Sequence, residues 1–237
     1  MRKIFYTLLL FNSVFIFSQN TVNCVTYKVE MALKQDVKVT NKDLLGIIEG
    51  LKSMEFKLYY NTNESIFKKI DKIGQENDRG YDMASRLVSG VYYKNQLNLE
   101  KIKQVDCYGE TINVISDYQE YKWEITSETK KINGYTCYRA TCVYIEDDKT
   151  RNVKKTFHPE VWFTPEIPAS FGPRGLDGLP GLVLEGKINN STVFLATKLA
   201  FNINEDVIIE KPKKGKYLTE SEYQEALAKG FQNRQGE

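Results

Sequence analysis

The sequence is poor in the residues that most catalytic and metal sites need. Its 237 residues include one histidine, His158, and Pro159 follows it directly. Zinc sites usually take several His or Cys ligands, and the chain has neither HExxH nor paired CxxC motifs. It also lacks the GxSxG turn of serine hydrolases, a GxGxxG, and a GxxxxGK followed by Ser or Thr. The sequence therefore predicts no catalytic residue, no metal and no cofactor.

Neither sign of charge is in clear excess, because 33 basic residues stand against 31 acidic ones. No basic stripe is present, so nucleic acid is not an expected partner. Beyond the N-terminal region, no apolar run reaches the roughly 20 residues that a membrane-spanning helix needs. We expect no integral membrane segment in the mature chain.

The N-terminus has the pattern of a signal peptide. Arg2 and Lys3 precede an apolar run from Ile4 to Phe17, and Ser18 follows it. This pattern predicts a signal peptide at 1–18, with a retained signal anchor as the alternative. The protein is then exported, periplasmic or secreted, and soluble after cleavage. The predicted division is a β-rich domain at 19–210, followed by a basic linker and C-terminal helix at 211–237.

Four cysteines remain after the signal peptide, and an even number in an exported protein suggests two disulfides. The segment Tyr135–Ile145 resembles one strand, which would hold Cys137 and Cys142 about 16 Å apart. A disulfide needs about 4.4–6.8 Å between Cα atoms. This excludes Cys137 with Cys142, and so its companion Cys24 with Cys107. Two pairings stay open, Cys24–Cys137 with Cys107–Cys142 or the crossed one, and buried thiols are the alternative to both.

Period-two alternation dominates the sequence and predicts a mainly β fold. The predicted architecture is a single antiparallel meander-type sheet, either a curved half-barrel or a sandwich, with a short helix near its start and a C-terminal helix. A 3.6-residue period after Asn41 predicts the first helix, and Thr219 with Glu222 forms the capping box of the last. Alternation extends the predicted strands through 120–125, whereas residues 74–89 are expected to form an exposed loop, either without regular structure or with one helical turn.

The most unusual segment is rich in proline and glycine. Five of the six prolines lie within 22 residues, and the stretch GPRGLDGLPG occupies 172–181. Because proline lacks an amide donor, this segment cannot be a central strand and is predicted to be a stiff crossing. It is either a packed connection capping the sheet or a rigid lip over a groove. The candidate binding residues of that lip are Trp162, Phe171, Arg174, Gly178, Leu179, Pro180 and Gly181, and Arg174 is expected to pair with Asp177.

Three ordered motifs make the chain resemble the GLPGLI family, exported proteins of Bacteroidota. They are KINGYTCYRAT at 131–141, VWFTPEIPASFGP at 161–173 and GLPGLVLE at 178–185. The last departs from the family name only by Val183 in place of Ile. The resemblance implies an envelope or secreted protein, and it brings no assigned activity.

The favoured hypothesis is a noncatalytic exported binding or interaction protein of the cell envelope, whose partner is an envelope protein or an apolar small ligand. The alternatives are a carrier of an apolar ligand in a curved groove, an accessory subunit of an outer-membrane complex, and a hydrolase using paired carboxylates. The carboxylates considered for the last are Glu160, Glu166, Asp177 and Glu185.

Overall fold

The computed structural model describes residues 21–32, 40–71, 78–189, 192–204 and 207–235. The predicted signal peptide at 1–18 and the first part of the predicted loop, residues 74–77, lie outside these ranges. Among the helices of the described ranges, none is both long and apolar enough to cross a membrane.

The fold is mainly β, as predicted. The described ranges contain fourteen strands, three α-helices and one 3₁₀ turn. In chain order they are β1 Asn23–Met31, α1 Lys42–Ser53, β2 Glu55–Tyr60, β3 Glu64–Ile70, α2 Arg79–Leu87, β4 Val91–Asn95, β5 Glu100–Cys107, β6 Glu110–Ile115, β7 Glu124–Ile132, β8 Tyr135–Thr141, β9 Tyr144–Asp148, β10 Val153–Phe157, β11 Glu160–Thr164, the 3₁₀ turn Pro173–Gly175, β12 Leu182–Lys187, β13 Thr192–Ala200, β14 Lys216–Thr219 and α3 Glu220–Gln235.

Twelve strands form one open sheet in the order β14-β6-β5-β4-β3-β2-β1-β13-β12-β11-β8-β7, and β9 and β10 form a separate hairpin. All neighbours in the large sheet are antiparallel except β14 and β6, which are parallel. Consecutive strands lie side by side in two meanders, one on each side of β1. Short turns explain this order: Asn133 and Gly134, both at positive φ, make the tight turn between β7 and β8.

The main core lies on one face of the sheet centre. Alternation along β1 buries Val25, Tyr27 and Val29 completely. Aromatic rings fill the space beside them, and Phe56 stacks on Phe67 with ring centroids 5.5 Å apart. Ile167, Ala169 and Phe171 of the proline-rich crossing belong to the same cluster, so the crossing covers this packed core.

Two helices pack against each other through glycine. The predicted cap of α1 is confirmed, because the Asn41 side chain accepts hydrogen bonds from the backbone N–H groups of the first turn. The second helix was not predicted: α2 replaces the end of the expected loop, and Asp78 caps it in the same way. A Cβ added at Gly80 would lie 2.6 Å from the Gly46 carbonyl, so this crossing requires glycine.

The C-terminal helix forms as predicted. Thr219 and Glu222 exchange the hydrogen bonds of a capping box. Tyr223 is buried against the end of β5 and β6, and Leu227 packs beside it, while Phe231 is exposed. The helix therefore packs on the domain through its first half.

The predicted disulfides are wrong. Cys24, Cys107, Cys137 and Cys142 are all buried, and no disulfide joins any two of them. The strand order explains this: β1 is four strand positions from β5 and four from β8, about 19 Å along the sheet in each case. Burial raises the pKa of the Cys137 and Cys142 thiols to about 11, which keeps both protonated at neutral pH.

Two predicted strand boundaries are also wrong. The segment Tyr135–Ile145 is not continuous, because Cys142 leaves the sheet and its backbone N–H donates to the Pro159 carbonyl at 3.1 Å. The chain then enters the separate hairpin at Tyr144. The expected strand at 120–125 begins only at Glu124. In both places, residues that were expected in the large sheet lie outside it, and their side chains cover one face of the sheet.

Candidate functional site

The proline- and glycine-rich crossing, residues 165–181, connects β11 to β12 and packs closely on the domain. The backbone N–H of Leu182 donates to Ile167 at 3.1 Å, and that of Val183 donates to Phe171 at 3.0 Å. Leu176 and Leu179 pack in a second apolar cluster with Val161, Phe163 and Val183 of the sheet. The crossing is therefore a packed connection that covers a second face of the sheet.

Glycine is required at both ends of the 172–181 stretch within this crossing. A Cβ at Gly172 would lie 2.1 Å from the Leu176 carbonyl oxygen, and one at Gly181 would lie 2.2 Å from that of Thr164. Gly175 and Gly178 have positive φ, a region that glycine enters without strain. The spacing of a glycine at every third position from 172 to 181 thus reflects close backbone contacts and turns at four separate positions.

The candidate lip residues do not converge on one surface. Phe171 is buried in the main core and Leu179 in the second cluster, while Pro180 is exposed. Trp162 packs toward the main core, with the Lys130 ammonium 4.3 Å from its ring centroid. Of these residues, Arg174 alone lines the cavity that lies beneath the turn at residues 172–177.

Asp177 anchors the crossing to the sheet by a buried charge cluster. Its carboxylate lies 2.6 Å from Lys94 Nζ and 3.4 Å from Lys101 Nζ, two cations that face each other across β4 and β5. Lys101 also contacts Glu120 at 2.7 Å and donates to the Gly175 carbonyl. The expected Arg174–Asp177 pair is therefore wrong, because Asp177 instead separates two lysines that would otherwise repel each other.

Arg174 occupies a strained backbone conformation. Its φ of 52° and ψ of 31° lie in the left-handed region, which costs a non-glycine residue about 1–2 kcal/mol. The side chain turns into the cavity, where Nε donates to the Tyr92 hydroxyl at 3.3 Å and the guanidinium lies 5.7 Å from the Phe194 ring centroid. Such outliers cluster at ligand-binding positions, where the surrounding structure holds them.

The cavity has a volume of about 200 Å³, many times the space that one water needs. Its floor is the face of β3, β4 and β5, its roof is the 172–177 turn, and its side is the β9–β10 hairpin with the start of α3. The aromatic side chains on this face are Phe67, Tyr92, Tyr121, Tyr144 and Phe157, and the charged lining residues are Lys94, Lys101, Lys103, Arg174, Glu120, Glu146, Asp177 and Glu220.

Two cations converge on Tyr92. Lys103 is its direct partner across β4 and β5, and Arg174 reaches it from the roof. Burial alone would raise the pKa of the Tyr92 phenol, but the nearby Arg174 and Lys103 outweigh burial and lower it. Burial likewise opposes the charge on Lys103, yet Tyr92, Tyr223 and Glu220 raise its pKa overall.

The opposite wall is acidic. Burial raises the pKa of Glu146, Lys103 opposes that effect, and the nearby Glu220 carboxylate reinforces it. Burial also raises the pKa of Tyr121 and Tyr144 well above that of a free phenol, so both stay protonated hydrogen-bond donors. The cavity therefore offers a cationic end, an acidic end and aromatic walls between them.

The four carboxylates considered for hydrolysis each have a separate partner. Glu160 binds Arg139 and Lys187, and Glu185 binds Lys130 at 2.7 Å. Glu166 accepts a hydrogen bond from the Thr136 backbone N–H. With Asp177 in its lysine cluster, none of these four is poised opposite another across an open cleft. In the described ranges, no group of His, Cys, Asp and Glu side chains is arranged to hold a metal ion.

The sequence alone named Arg174 and missed the residues around it. The signal was present in the alternation of Tyr92 with Lys94 and of Lys101 with Lys103. These polar positions belong to the strand face opposite Tyr93 and Ile102, which pack in an apolar cluster with Cys24 and Tyr59. Period two assigns such polar positions to solvent, but the crossing covers them here.

Comparison with known proteins supports the fold and gives no activity. A family described as "Protein of unknown function (Porph_ging)" matches residues 146–185, which run from Glu146 through the crossing to Glu185. No curated protein matches the sequence.

Two structures of PNGF-II, in the P2₁ and C2 space groups, have similar folds, with TM-scores of 0.55 and 0.53 at 18% and 19% identity. In both, 87% of this chain is covered, while the chain spans about one third of PNGF-II, 33% and 32%. At this identity the likeness concerns the fold alone.

Proposed function

We propose that this chain is an exported, noncatalytic binding protein of the cell envelope, with the cavity beneath the 172–177 turn as its ligand site. We also infer that it is a member of the GLPGLI family. Two of the three motifs that carry this resemblance, at 161–173 and 178–185, fall within the matched range 146–185. That range also contributes Glu146 and Arg174 to the cavity.

The observation that carries the proposal is the unusual lining of the cavity. Binding pockets are typically lined by apolar and aromatic side chains with a few fixed polar groups. Here the aromatic walls are fixed by strands, and a strained Arg174 is held in place by the anchor at Asp177. Because charged side chains face the cavity, a polar small molecule suits it better than the apolar ligand considered from the sequence.

A screen of small polar metabolites by ligand-observed NMR tests the binding site. The cavity-lining Ser116 is replaced by Phe to fill the space, and Ser127→Phe on the exposed edge strand β7 is the matched control. We expect compounds that bind the wild type and Ser127→Phe but not Ser116→Phe. The proposal is wrong if no compound binds, or if every binder survives Ser116→Phe.

Export is tested separately with the full chain in a bacterial host that has a periplasm. We expect the protein in the periplasmic or secreted fraction with its N-terminus cleaved after Ser18. An intact N-terminus in the cytoplasmic fraction would contradict export, whatever the result of the binding screen.

A further inference from the structure

We infer that the ligand is an amino-acid-sized zwitterion, whose carboxylate binds Arg174 and whose ammonium group lies between Glu146 and Glu220. This inference rests on the proposed function, because it assigns a ligand class to the same cavity. The observation that carries it is that the eight charged lining residues divide into four that form salt bridges with one another and four that form none within the described ranges.

Four of the eight charged lining residues satisfy one another. Lys94, Lys101, Glu120 and Asp177 form a closed cluster with contacts of 2.6 Å, 3.4 Å and 2.7 Å. The cluster contains two cations and two carboxylates, so it is neutral as a whole. It fixes the turn and has no charge left to offer a ligand.

The other four charged lining residues are two cations and two carboxylates. Among the described residues, none of Lys103, Arg174, Glu146 and Glu220 forms a salt bridge of 4.0 Å or less. Buried or half-buried charges are normally paired, because desolvation without a partner is costly. A cavity that is neutral overall but has unpaired charges of both signs suits a ligand that is itself neutral overall and carries both signs.

The cationic end has the geometry of a carboxylate site. Arg174 uses Nε for the Tyr92 hydroxyl, which leaves the terminal N–H groups of the guanidinium for a ligand. These groups form a planar fork that matches the two oxygens of a carboxylate. Lys103, directly opposite Tyr92 in the sheet, adds a second positive charge, which also acts on Glu146 and so lies between this end and the acidic one.

The acidic end suits an ammonium group. Glu146 extends from β9 and Glu220 from the first turn of α3; both line the cavity, and the nearby Glu220 carboxylate adds to the effect of burial in raising the Glu146 pKa. A positive group between them would remove this repulsion. The rings of Tyr121 and Tyr144 also line the cavity; Tyr121 already has the Lys101 ammonium over it at 4.6 Å, whereas the face of Tyr144 can contact an apolar side chain or an ammonium group of the ligand.

The test measures binding of the twenty free amino acids to the full mature chain by isothermal titration calorimetry. The tightest binder is then compared with its N-acetyl form, which lacks the ammonium group, and its amide, which lacks the carboxylate. We expect both blocked forms to bind at least tenfold more weakly than the free amino acid.

Variants assign each loss to one end of the cavity. Arg174→Ala is expected to weaken binding of the free amino acid at least tenfold and to abolish its advantage over the amide. Glu146→Gln is expected to abolish its advantage over the N-acetyl form. The matched controls are Arg86→Ala and Glu124→Gln, two exposed positions outside the cavity lining, and both should bind like the wild type.

Three results would overturn the inference. If the N-acetyl form binds as tightly as the free amino acid, the acidic end is not used and the ligand is a simple anion. If no amino acid binds while the metabolite screen yields binders that Ser116→Phe removes, the zwitterion is wrong and the proposed function stands. If neither assay yields a binder, the proposed function itself fails.

Discussion

Replacement of Asp177 by Asn should destabilise the fold more than any other single charge removal in the described residues. Asp177 is the only carboxylate within 4 Å of Lys94 there, and the Lys94 side chain is 5% exposed. Removing one partner of a buried ion pair costs about 3–5 kcal/mol, because the other charge is left without compensation. Lys101 keeps Glu120 and the Gly175 carbonyl, so we expect the lower end, about 3 kcal/mol.

Urea unfolding followed by tyrosine and tryptophan fluorescence measures this loss. With a slope of about 2–3 kcal/mol per molar urea, the midpoint should fall by about 1–1.5 M. Asp147→Asn, at an exposed position of β9, is the matched control and should change the midpoint little. Adding Lys94→Met to Asp177→Asn removes the stranded cation and should recover part of the loss. A loss below about 1 kcal/mol, or no recovery in the double variant, would refute the reasoning.

Three further predictions concern the cavity, the crossing and the cysteines. The Glu146→Gln variant should become progressively more stable than the wild type as the pH rises from 4 to 7. Burial raises the Glu146 pKa in the folded state, so ionisation of Glu146 over this range disfavours the folded wild type. If the free energies of unfolding of the two proteins change with pH in parallel, the prediction is wrong. Gly181→Ala should lower the free energy of unfolding, measured in urea, by at least about 3 kcal/mol, because its Cβ would lie 2.2 Å from the Thr164 carbonyl oxygen. The control Gly134→Ala has nothing within 4 Å and should cost only about 1–2 kcal/mol, because its φ is positive. Equal losses would show that the contact at Gly181 relaxes. Protein isolated without reductant should react with iodoacetamide at all four cysteines once unfolded and slowly when native, and incomplete labelling after unfolding would indicate a disulfide.

The sequence predicted those elements whose signals are local. The first helix shows both an apolar period and a capping residue, Asn41, and the last has its capping box at Thr219. In α2, by contrast, the buried side is short: Tyr81, Ala84 and the C-cap Val88 pack on the main core, and Gly80 lies against α1. Three apolar positions among charged residues are a weak periodic signal, so the sequence predicts a loop with at most a helical turn there.

The errors arose where tertiary position outweighs local pattern. An even number of cysteines suggested disulfides, but the strand order holds Cys24 far from Cys107 and Cys137. The candidate site was predicted only in part for the same reason. Arg174 belongs to a recognisable segment, whereas Tyr92 and Lys103 come from strands more than seventy positions earlier, and nothing in their own neighbourhood indicates that the crossing covers them.

The central position of β1 has a consequence for how the chain folds. The meander from β2 to β6 and the strands from β7 to β13 can each form from neighbours close in sequence, but β1 must join them by pairing Cys24 with Ala200. Closing a loop of about 175 residues costs about 4–5 kcal/mol of chain entropy before that pairing contributes stability. Contacts of such long range slow folding. The two halves of the sheet are thus expected to form early, and the pairing of β1 with β13 is expected to be the step that limits the folding rate of the whole molecule.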